Sequence, residues 1–216
     1  MIDVRMFTVG SIQENCFIVR EPHAERAVIV DPGDEADRLL HALSDLGIKT
    51  LEAILVTHTH FDHIGAVAPV AHATGAPVYC PERETQVLAN IMDFVPWPGF
   101  GPFESYDADH TVAGGETLDL AGLSFEVIFT PGHSPGHVTY ALPAEDAMFS
   151  GDVLFEGSVG RVDLPGGDWK TLLGSIDSLI ERFPEETTVY PGHMGLTTLG
   201  RERATNPFLR ELTAKS

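Results

Sequence analysis

Short apolar runs bounded by turn residues recur along the chain and predict β-strands. The predicted strands cover residues 15–20, 27–31, 53–57, 77–80, 116–120, 123–130, 138–142, 147–150 and 187–190. Two other segments, 34–46 and 169–183, repeat apolar residues every three or four positions and predict helices, with Asp168 as the N-cap of the second. A shorter helix is predicted over 201–215, with an interruption at Asn206 and Pro207. Because helical segments separate strands in both halves of the chain, the pattern predicts an α/β fold with helices packed outside the sheets.

The composition favours one domain and excludes two classes of partner. The chain has 216 residues, of which 43% are hydrophobic, and this suits a single compact domain over residues 1–216. Lys and Arg number 13 against 32 Asp and Glu, which gives a formal net charge of −19. Nucleic acids and anionic membranes are bound through clustered Lys and Arg, so we expect neither as a partner.

The cysteines and the N-terminal residues predict the compartment. Cys16 and Cys80 each lie in an apolar run, which favours buried thiols over a disulfide. Residues 1–5 show no basic region leading into an apolar stretch, and no apolar run approaches the roughly 20 residues of a membrane helix. We therefore expect a cytoplasmic protein, whose oligomeric state the sequence leaves open.

Side chains that bind metal ions follow four of the predicted strands. They are His58, His60, Asp62 and His63 after strand 53–57, His133 after 123–130, Asp152 after 147–150, and His193 after 187–190. Functional groups collect on loops at one edge of a sheet, so these turns are expected to converge. Residues two apart in an extended segment point the same way, so His58 and His60 can bind one ion together. Five histidines and two aspartates are too many for one tetrahedral ion and match two ions.

The alternative is that these histidines are ordinary loop and core residues. The dense cluster at 58–63, with similar residues at three further strand ends, favours metal binding over that alternative. His137 closes the turn 131–137, and we expect it to form hydrogen bonds beside the site rather than to bind a metal.

Four motifs resemble those of the metallo-β-lactamase superfamily. They are His58-Thr-His-Phe-Asp-His63, Thr130-Pro-Gly-His133, Gly151-Asp152 and Pro191-Gly-His193. Within that superfamily, residues 157–163 and the run Asn206-Pro-Phe208 are most similar to the short glyoxalase II-like (hydroxyacylglutathione hydrolase-like) hydrolases. The resemblance spans nearly the whole chain and implies a four-layered αβ/βα sandwich with metals at one edge of the facing sheets.

The resemblance also implies roles for the metal-capable residues. One ion would bind His58, His60 and His133, a second would bind Asp62, His63 and His193, and Asp152 would bridge both. Asp62 and Asp152 would be the catalytic carboxylates. The implied cofactors are two divalent ions per chain, for which zinc suits the ligands and iron or manganese are alternatives. The implied reaction is hydrolysis of a small acyl thioester, of the S-lactoylglutathione type, by a hydroxide that bridges the metals.

The substrate site departs from that of the larger glyoxalase II enzymes. Arg161 matches a basic residue that helps them bind glutathione, so it is the expected substrate-binding residue, with a structural salt bridge as the alternative. Asp163 stands where those enzymes carry a Tyr, and Met194 and Gly195 replace the Tyr usual after the last metal ligand. The thiol carrier of the substrate is therefore left open.

Other functions on the same fold stay open as well. A persulfide dioxygenase with a single iron resembles this pattern, although the complete set of Asp62, His63 and His193 disfavours it. Another ester or lactone hydrolase is a further alternative. Residues 91–110 interleave aromatic residues with Pro and Gly, and we expect either a lid over the substrate groove or a self-packed surface loop.

Overall fold

A computed structural model describes residues 1–210, which cluster into two compact units. The first unit comprises Met1–Val112 and Leu118–Ser124, and the second comprises Ala113–Thr117 together with the chain from Phe125 onward. Whether the two units act as the single domain expected over residues 1–216 stays a prediction.

The first unit is built on a six-stranded sheet. In sheet order its strands are β1 (Asp3–Val9), β2 (Glu14–Arg20), β3 (Arg26–Val30), β4 (Thr50–Leu55), β5 (Val78–Pro81) and β6 (His110–Val112). Its helices are α1 (Ala36–Asp45), α2 (Phe61–Ile64), α3 (Val67–Thr74), α4 (Thr85–Leu88) and α5 (Ile91–Phe94), with a 3₁₀ turn at Glu82–Glu84.

Strand direction in the first sheet determines where its functional loops lie. Strands β3, β4, β5 and β6 pair in parallel, whereas β1, β2 and β3 pair antiparallel. The carboxyl ends of β3, β4 and β5 therefore lie side by side at one edge of this sheet.

The apolar stripes of α1 and α3 pack against the first sheet. Leu39 and Leu43 of α1 and Val70 of α3 belong to one buried cluster with Ile29 of β3 and Ile54 of β4. Full burial of a side chain of this size contributes roughly 1.5–3 kcal/mol. This packing makes the sheet a rigid support for the turns at its edge.

The chain from Thr117 onward, which belongs to the second unit except for Leu118–Ser124, carries another six-stranded sheet and a small hairpin. Its strands are β7 (Thr117–Leu120), β8 (Leu123–Phe129), β9 (Val138–Leu142), β10 (Ala147–Gly151), β11 (Leu154–Phe155), β12 (Ser158–Val159), β13 (Thr188–Pro191) and β14 (Thr197–Thr198). The order in the sheet is β14-β13-β10-β9-β8-β7, and β11 pairs only with β12. Its helices are α6 (Trp169–Arg182) and α7 (Leu199–Thr205), followed by a 3₁₀ turn at Pro207–Leu209.

The second sheet also gathers strand ends at one edge. Strand β9 is antiparallel to both β8 and β10, and β10 is parallel to β13. Strands β8, β10 and β13 therefore run in the same direction, and the turns that follow them leave from the same edge of this sheet.

The predicted α/β class and most predicted elements are confirmed. Asp168 caps α6 by accepting a hydrogen bond from the Thr171 N–H. Cys16 and Cys80 are buried free thiols, as expected. The helix predicted over 201–215 is present as α7, which begins earlier, at Leu199, and the predicted interruption at Asn206 and Pro207 is confirmed; residues 211–215 lie outside the described part. No helix within residues 1–210 is long and apolar enough to cross a membrane.

Candidate metal centre

The first donor set, which we define as His58, His60, Asp62 and His63, lies directly after β4. After β4 the chain bends at Thr57, and His60 has an extended backbone, with φ −63° and ψ 143°. The Nε2 atom of His58 and the Nδ1 atom of His60 are 3.1 Å apart, with the two rings nearly perpendicular at 84°. The pairing expected for residues two apart in an extended segment is therefore present.

Asp31 at the end of β3 fixes the base of this loop. Its backbone is left-handed, with φ 47°, which aspartate tolerates better than most residues. One carboxylate oxygen accepts the Thr57 N–H at 2.7 Å, and the other accepts the Thr57 hydroxyl at 2.6 Å. Because that hydroxyl gives its single proton to Asp31, its oxygen is left to accept from Nδ1–H of His58, 3.1 Å away. Nε2 then remains the lone-pair nitrogen of His58.

Asp31 orients His63 in the same way. The Nδ1 atom of His63 lies 3.0 Å from the second carboxylate oxygen of Asp31 and 3.7 Å from Glu14. A carboxylate that holds the Nδ1–H of a histidine fixes the tautomer in which Nε2 has the lone pair. That Nε2 atom lies 4.0 Å from the carboxylate of Asp62, so both groups face the same space.

Asp31 and Glu14 are functional residues that the sequence analysis missed. Asp31 is the last residue of the predicted strand 27–31 and directly follows β3 in the structure, so a search for polar residues at strand ends could have found it. Glu14 lies inside β2, where all seven residues are buried, and its position in the chain carries no such signal.

Gly33 allows the β3 turn to touch the donor loop directly. A Cβ at this position would lie 1.6 Å from the carbonyl oxygen of Asp62 and 2.6 Å from Glu14. Any side chain here would overlap the backbone of a proposed ligand, so the close approach requires glycine.

The second donor set, which we define as His133, Asp152 and His193, follows β8, β10 and β13. One carboxylate oxygen of Asp152 lies 3.4 Å from Nε2 of His133 and 3.6 Å from Nε2 of His193. Nδ1 of His133 donates to the carbonyl oxygen of Arg161 at 2.7 Å, which again leaves Nε2 as the lone-pair nitrogen. His133 and Asp152 are buried, whereas the His193 side chain is 19% exposed.

His137 serves this set through hydrogen bonds. It is fully buried, and its Nε2 atom accepts the Asp152 backbone N–H at 3.1 Å. Its Nδ1 atom lies 3.1 Å from the hydroxyl oxygen of Thr130. Both ring nitrogens are thus in hydrogen bonds that hold the turn carrying Asp152.

Arg161 forms the salt bridge that was the alternative to substrate binding. Its guanidinium donates two hydrogen bonds to Asp163, each 2.7 Å long, and both side chains are exposed. The hydrogen bonds from Arg161 lower the pKa of Asp163 to about 2. The guanidinium is therefore already paired with a carboxylate, and a substrate role for Arg161 stays a prediction.

Residues 91–110 pack aromatic side chains against Phe61, within the segment that carries the first donor set. The ring of Phe61, which lies between His60 and Asp62, is 4.8 Å from Phe100 and 5.8 Å from Phe103 between centroids. A cavity of about 420 Å³ borders this loop, lined by Phe100, Phe103, Asp34 and Gly65 among others. The loop thus contacts the metal-binding segment, while its action as a lid stays a prediction.

The chemistry of both donor sets fits divalent metal ions. Ligand atoms of Asp31, His58 and His63 lie within 4.8 Å of one another. Imidazole nitrogens with their lone pairs fixed, together with carboxylate oxygens, are typical ligands of zinc, iron and manganese. Burying several carboxylates around one loop is also costly unless positive charge is close by.

Comparison with known proteins supports the same class. A sequence profile for the metallo-beta-lactamase superfamily matches residues 9–193. A probable metallo-hydrolase of Bacillus subtilis, YqgX, is 39% identical over 210 residues, covering 95% of this chain and 96% of the relative. Hydroxyacylglutathione hydrolase GloC of Haemophilus influenzae is 32% identical over 210 residues, covering 96% of this chain and 98% of GloC.

Solved structures match over nearly the whole chain. The crystal structure of the BLEG-1 B3 metallo-beta-lactamase has 41% identity and a TM-score of 0.89, covering 96% of this chain and 100% of that one. TTHA1623 in a di-iron-bound form has 41% identity and a TM-score of 0.76, covering 95% of this chain and 100% of that one. ETHE1 from Myxococcus xanthus has 27% identity and a TM-score of 0.76, covering 95% of this chain and 83% of that one.

The profile, the relatives and the solved structures agree on one assignment. The chain belongs to the metallo-beta-lactamase superfamily and is a metal-dependent hydrolase of that superfamily.

Proposed function

We propose that this protein hydrolyses small acyl thioesters with two bound divalent ions. One ion binds His58, His60 and His133, the other binds Asp62, His63 and His193, and Asp152 is a ligand of both. The proposal rests on one carboxylate oxygen of Asp152, which lies 3.4 Å from Nε2 of His133 and 3.6 Å from Nε2 of His193. A carboxylate placed between imidazoles from two strand ends suits a ligand shared by two ions.

The thioester part of the proposal is supported by a relative. GloC of Haemophilus influenzae is named a hydroxyacylglutathione hydrolase, and the two chains align over almost their whole lengths. A thiolate is a good leaving group near neutral pH, so a thioester needs no dedicated general acid.

The residues of the chain have different roles in this reaction. When bound, the two ions lower the pKa of water and polarise a carbonyl oxygen. Asp31 and the Arg161 carbonyl hold His63 and His133 with Nε2 as the lone-pair nitrogen. His60 and Asp62 are only partly buried, which leaves room for water and a substrate at the first donor set.

Turnover of S-lactoylglutathione by zinc-loaded protein tests the proposal. We expect hydrolysis by the wild type and a loss of at least about 100-fold in the variant Asp152→Ala, because both ions lose a ligand. The matched control is Glu181→Ala, which removes an exposed carboxylate of α6 and should leave the rate unchanged. Zinc content, measured on the same samples, should fall from two ions per chain only in Asp152→Ala.

The outcomes separate the parts of the proposal. Full activity and two ions in Asp152→Ala would disprove the shared ligand. Two ions per chain without turnover of any acyl thioester would exclude thioester hydrolysis and leave another ester or lactone as the substrate. One tightly bound iron per chain would favour the dioxygenase alternative.

A further inference from the structure

We infer that Glu84 is a positioning residue, which holds Thr59 so that His58 and His60 share one metal ion. This inference rests on the proposed metal centre and adds to it a residue that is not a ligand. Glu84 is 4% exposed, and one of its carboxylate oxygens accepts both the backbone N–H of Thr59, at 2.7 Å, and its hydroxyl, at 3.0 Å.

The parallel strands of the first sheet explain how Glu84 reaches this place. Leu55 of β4 pairs with Val30 of β3 on one side and with Tyr79 of β5 on the other. Asp31 follows β3 directly, and Glu84 ends the 3₁₀ turn after β5. The loop after β4 therefore runs between two buried carboxylates, one contributed by each neighbouring strand.

The contacts of Thr59 bear directly on the two histidines beside it. Thr57 binds Asp31 and Thr59 binds Glu84, through both the N–H and the hydroxyl in each case. Thr59 is the residue between His58 and His60, whose Nε2 and Nδ1 atoms lie 3.1 Å apart. Holding the N–H and the hydroxyl of Thr59 against Glu84 therefore fixes the backbone that sets this separation.

The two carboxylates differ in what they control. Asp31 acts on imidazole rings, through His63 directly and through the Thr57 hydroxyl to His58. Glu84 contacts the one residue between His58 and His60, so it controls the backbone that separates two ligands. We expect its loss to weaken one of the two ion sites more than the other.

Zinc affinity, measured by competition with a chromophoric chelator, tests the role of Glu84. Removal of a group that orients ligands typically costs about 10–100-fold in metal affinity. We expect Glu84→Ala to lower zinc affinity by at least about tenfold at one of the two sites. A limiting amount of chelator should then remove one ion per chain. Glu84→Gln should stay within about threefold of the wild type, because its amide oxygen can still accept both hydrogen bonds from Thr59.

Glu116 provides a matched control. Its carboxylate accepts the backbone N–H groups of Ala113 and Gly114, each at 2.7 Å, in a turn that carries no proposed ligand. Glu116→Ala removes a similar hydrogen-bonding carboxylate, and it should leave the affinity for both ions unchanged.

The outcomes distinguish this inference from the proposed function. Wild-type affinity in Glu84→Ala, or equal losses in Glu84→Ala and Glu84→Gln, would overturn the positioning role. If Glu84→Ala does not fold, the variant Thr59→Val tests the role instead, because it removes only the hydroxyl contact. A loss of a few fold in zinc affinity at one site would support the role, and unchanged affinity would overturn it. A wild-type protein that binds no zinc would instead overturn the metal centre itself.

Discussion

A hydrogen bond to one ring nitrogen of a histidine leaves the other nitrogen for a metal ion, and three of the proposed ligands have such a bond. His58, His63 and His133 use Nδ1 toward a hydroxyl, a carboxylate and a carbonyl oxygen respectively. The hydrogen bond to Nδ1 decides the tautomer, and so it decides which atom faces the ion. His137 differs because both its nitrogens are in hydrogen bonds within the second unit.

This difference predicts unequal effects of two alanine variants. His133→Ala removes a proposed ligand and should abolish tight zinc binding at one site. His137→Ala removes the hydrogen bonds to the Asp152 N–H and the Thr130 hydroxyl but no proposed ligand, and it should lower zinc affinity by about tenfold. Chelator competition on both variants measures the contrast. Equal loss of zinc from both would mean that His137 is a ligand.

At the scale of elements, helix α6 depends on its N-cap in a way that pH can reveal. Hydrogen bonds from the hydroxyl and N–H of Thr171 lower the pKa of Asp168 below its usual value of 3.8. A carboxylate whose pKa is lowered by folding stabilises the fold above its unfolded pKa, and this contribution disappears as pH falls through the folded pKa.

We therefore expect Asp168→Ala to lower the urea midpoint at pH 7 and to have a smaller effect near pH 3. Asp168→Asn is the control, since an Asn N-cap keeps an acceptor oxygen and does not titrate. The urea midpoint of both variants is followed between pH 7 and pH 3. A difference between wild type and Asp168→Ala that is the same at both ends of this range would contradict the argument.

Glu202 connects α7 to the hairpin of β11 and β12. It is fully buried and accepts hydrogen bonds from the Gly157 N–H, the Thr197 hydroxyl and the Asn206 amide. The Gly157 N–H and the Asn206 amide NH₂ can only donate, so both depend on this carboxylate as an acceptor.

This arrangement predicts that Glu202→Ala lowers the free energy of unfolding by about 1–3 kcal/mol, because it leaves buried donors unsatisfied. Urea denaturation measures the change. Glu186→Ala, at an exposed position, should stay within about 0.5 kcal/mol of the wild type. If the two variants have equal stability, the buried contacts of Glu202 contribute nothing.

At the scale of the whole molecule, metal binding and folding stability should be linked. The chain carries a net charge of −19, and buried carboxylates surround the first donor set. An ion that binds only the folded state stabilises it by about 2.7 kcal/mol at 100 times its dissociation constant.

We expect zinc to raise the melting temperature of the wild type and a chelator to reverse the rise. Asp152→Ala should respond less, because it lacks the proposed shared ligand. Differential scanning fluorimetry with and without zinc measures this. An equal zinc-dependent rise in melting temperature in both proteins would mean that the zinc binds outside the proposed centre.

Sequence reasoning finds features with strong local signals. The amphipathic pattern of α1 and α6 and the apolar runs of β2, β3 and β9 are visible in a short window. Strand β1 was missed because six of its seven residues are partly or fully exposed, and it forms by pairing with β2. Strands β11, β12 and β14 have two residues each, too few to form a pattern.

The same limit applies to the site. His58, His60 and His133 stand out because histidines after apolar runs are unusual. Glu84 and Glu202 are not distinguishable by sequence from the many acidic residues of this chain, since their roles come from the tertiary contacts that bury them. The proposed ligands could thus be named from one sequence, whereas Glu84 and Glu202 could not.

The attachment of the proposed ligands to turns, rather than to the strands that carry them, has an evolutionary consequence. Mutations in these turns can change the ligands and the substrate contacts while Ile29, Ile54 and the other core side chains stay the same. Selection can therefore act on catalysis without altering the apolar core. A lineage built on such a scaffold can acquire a new reaction through few substitutions and keep the packing that supports the sheet.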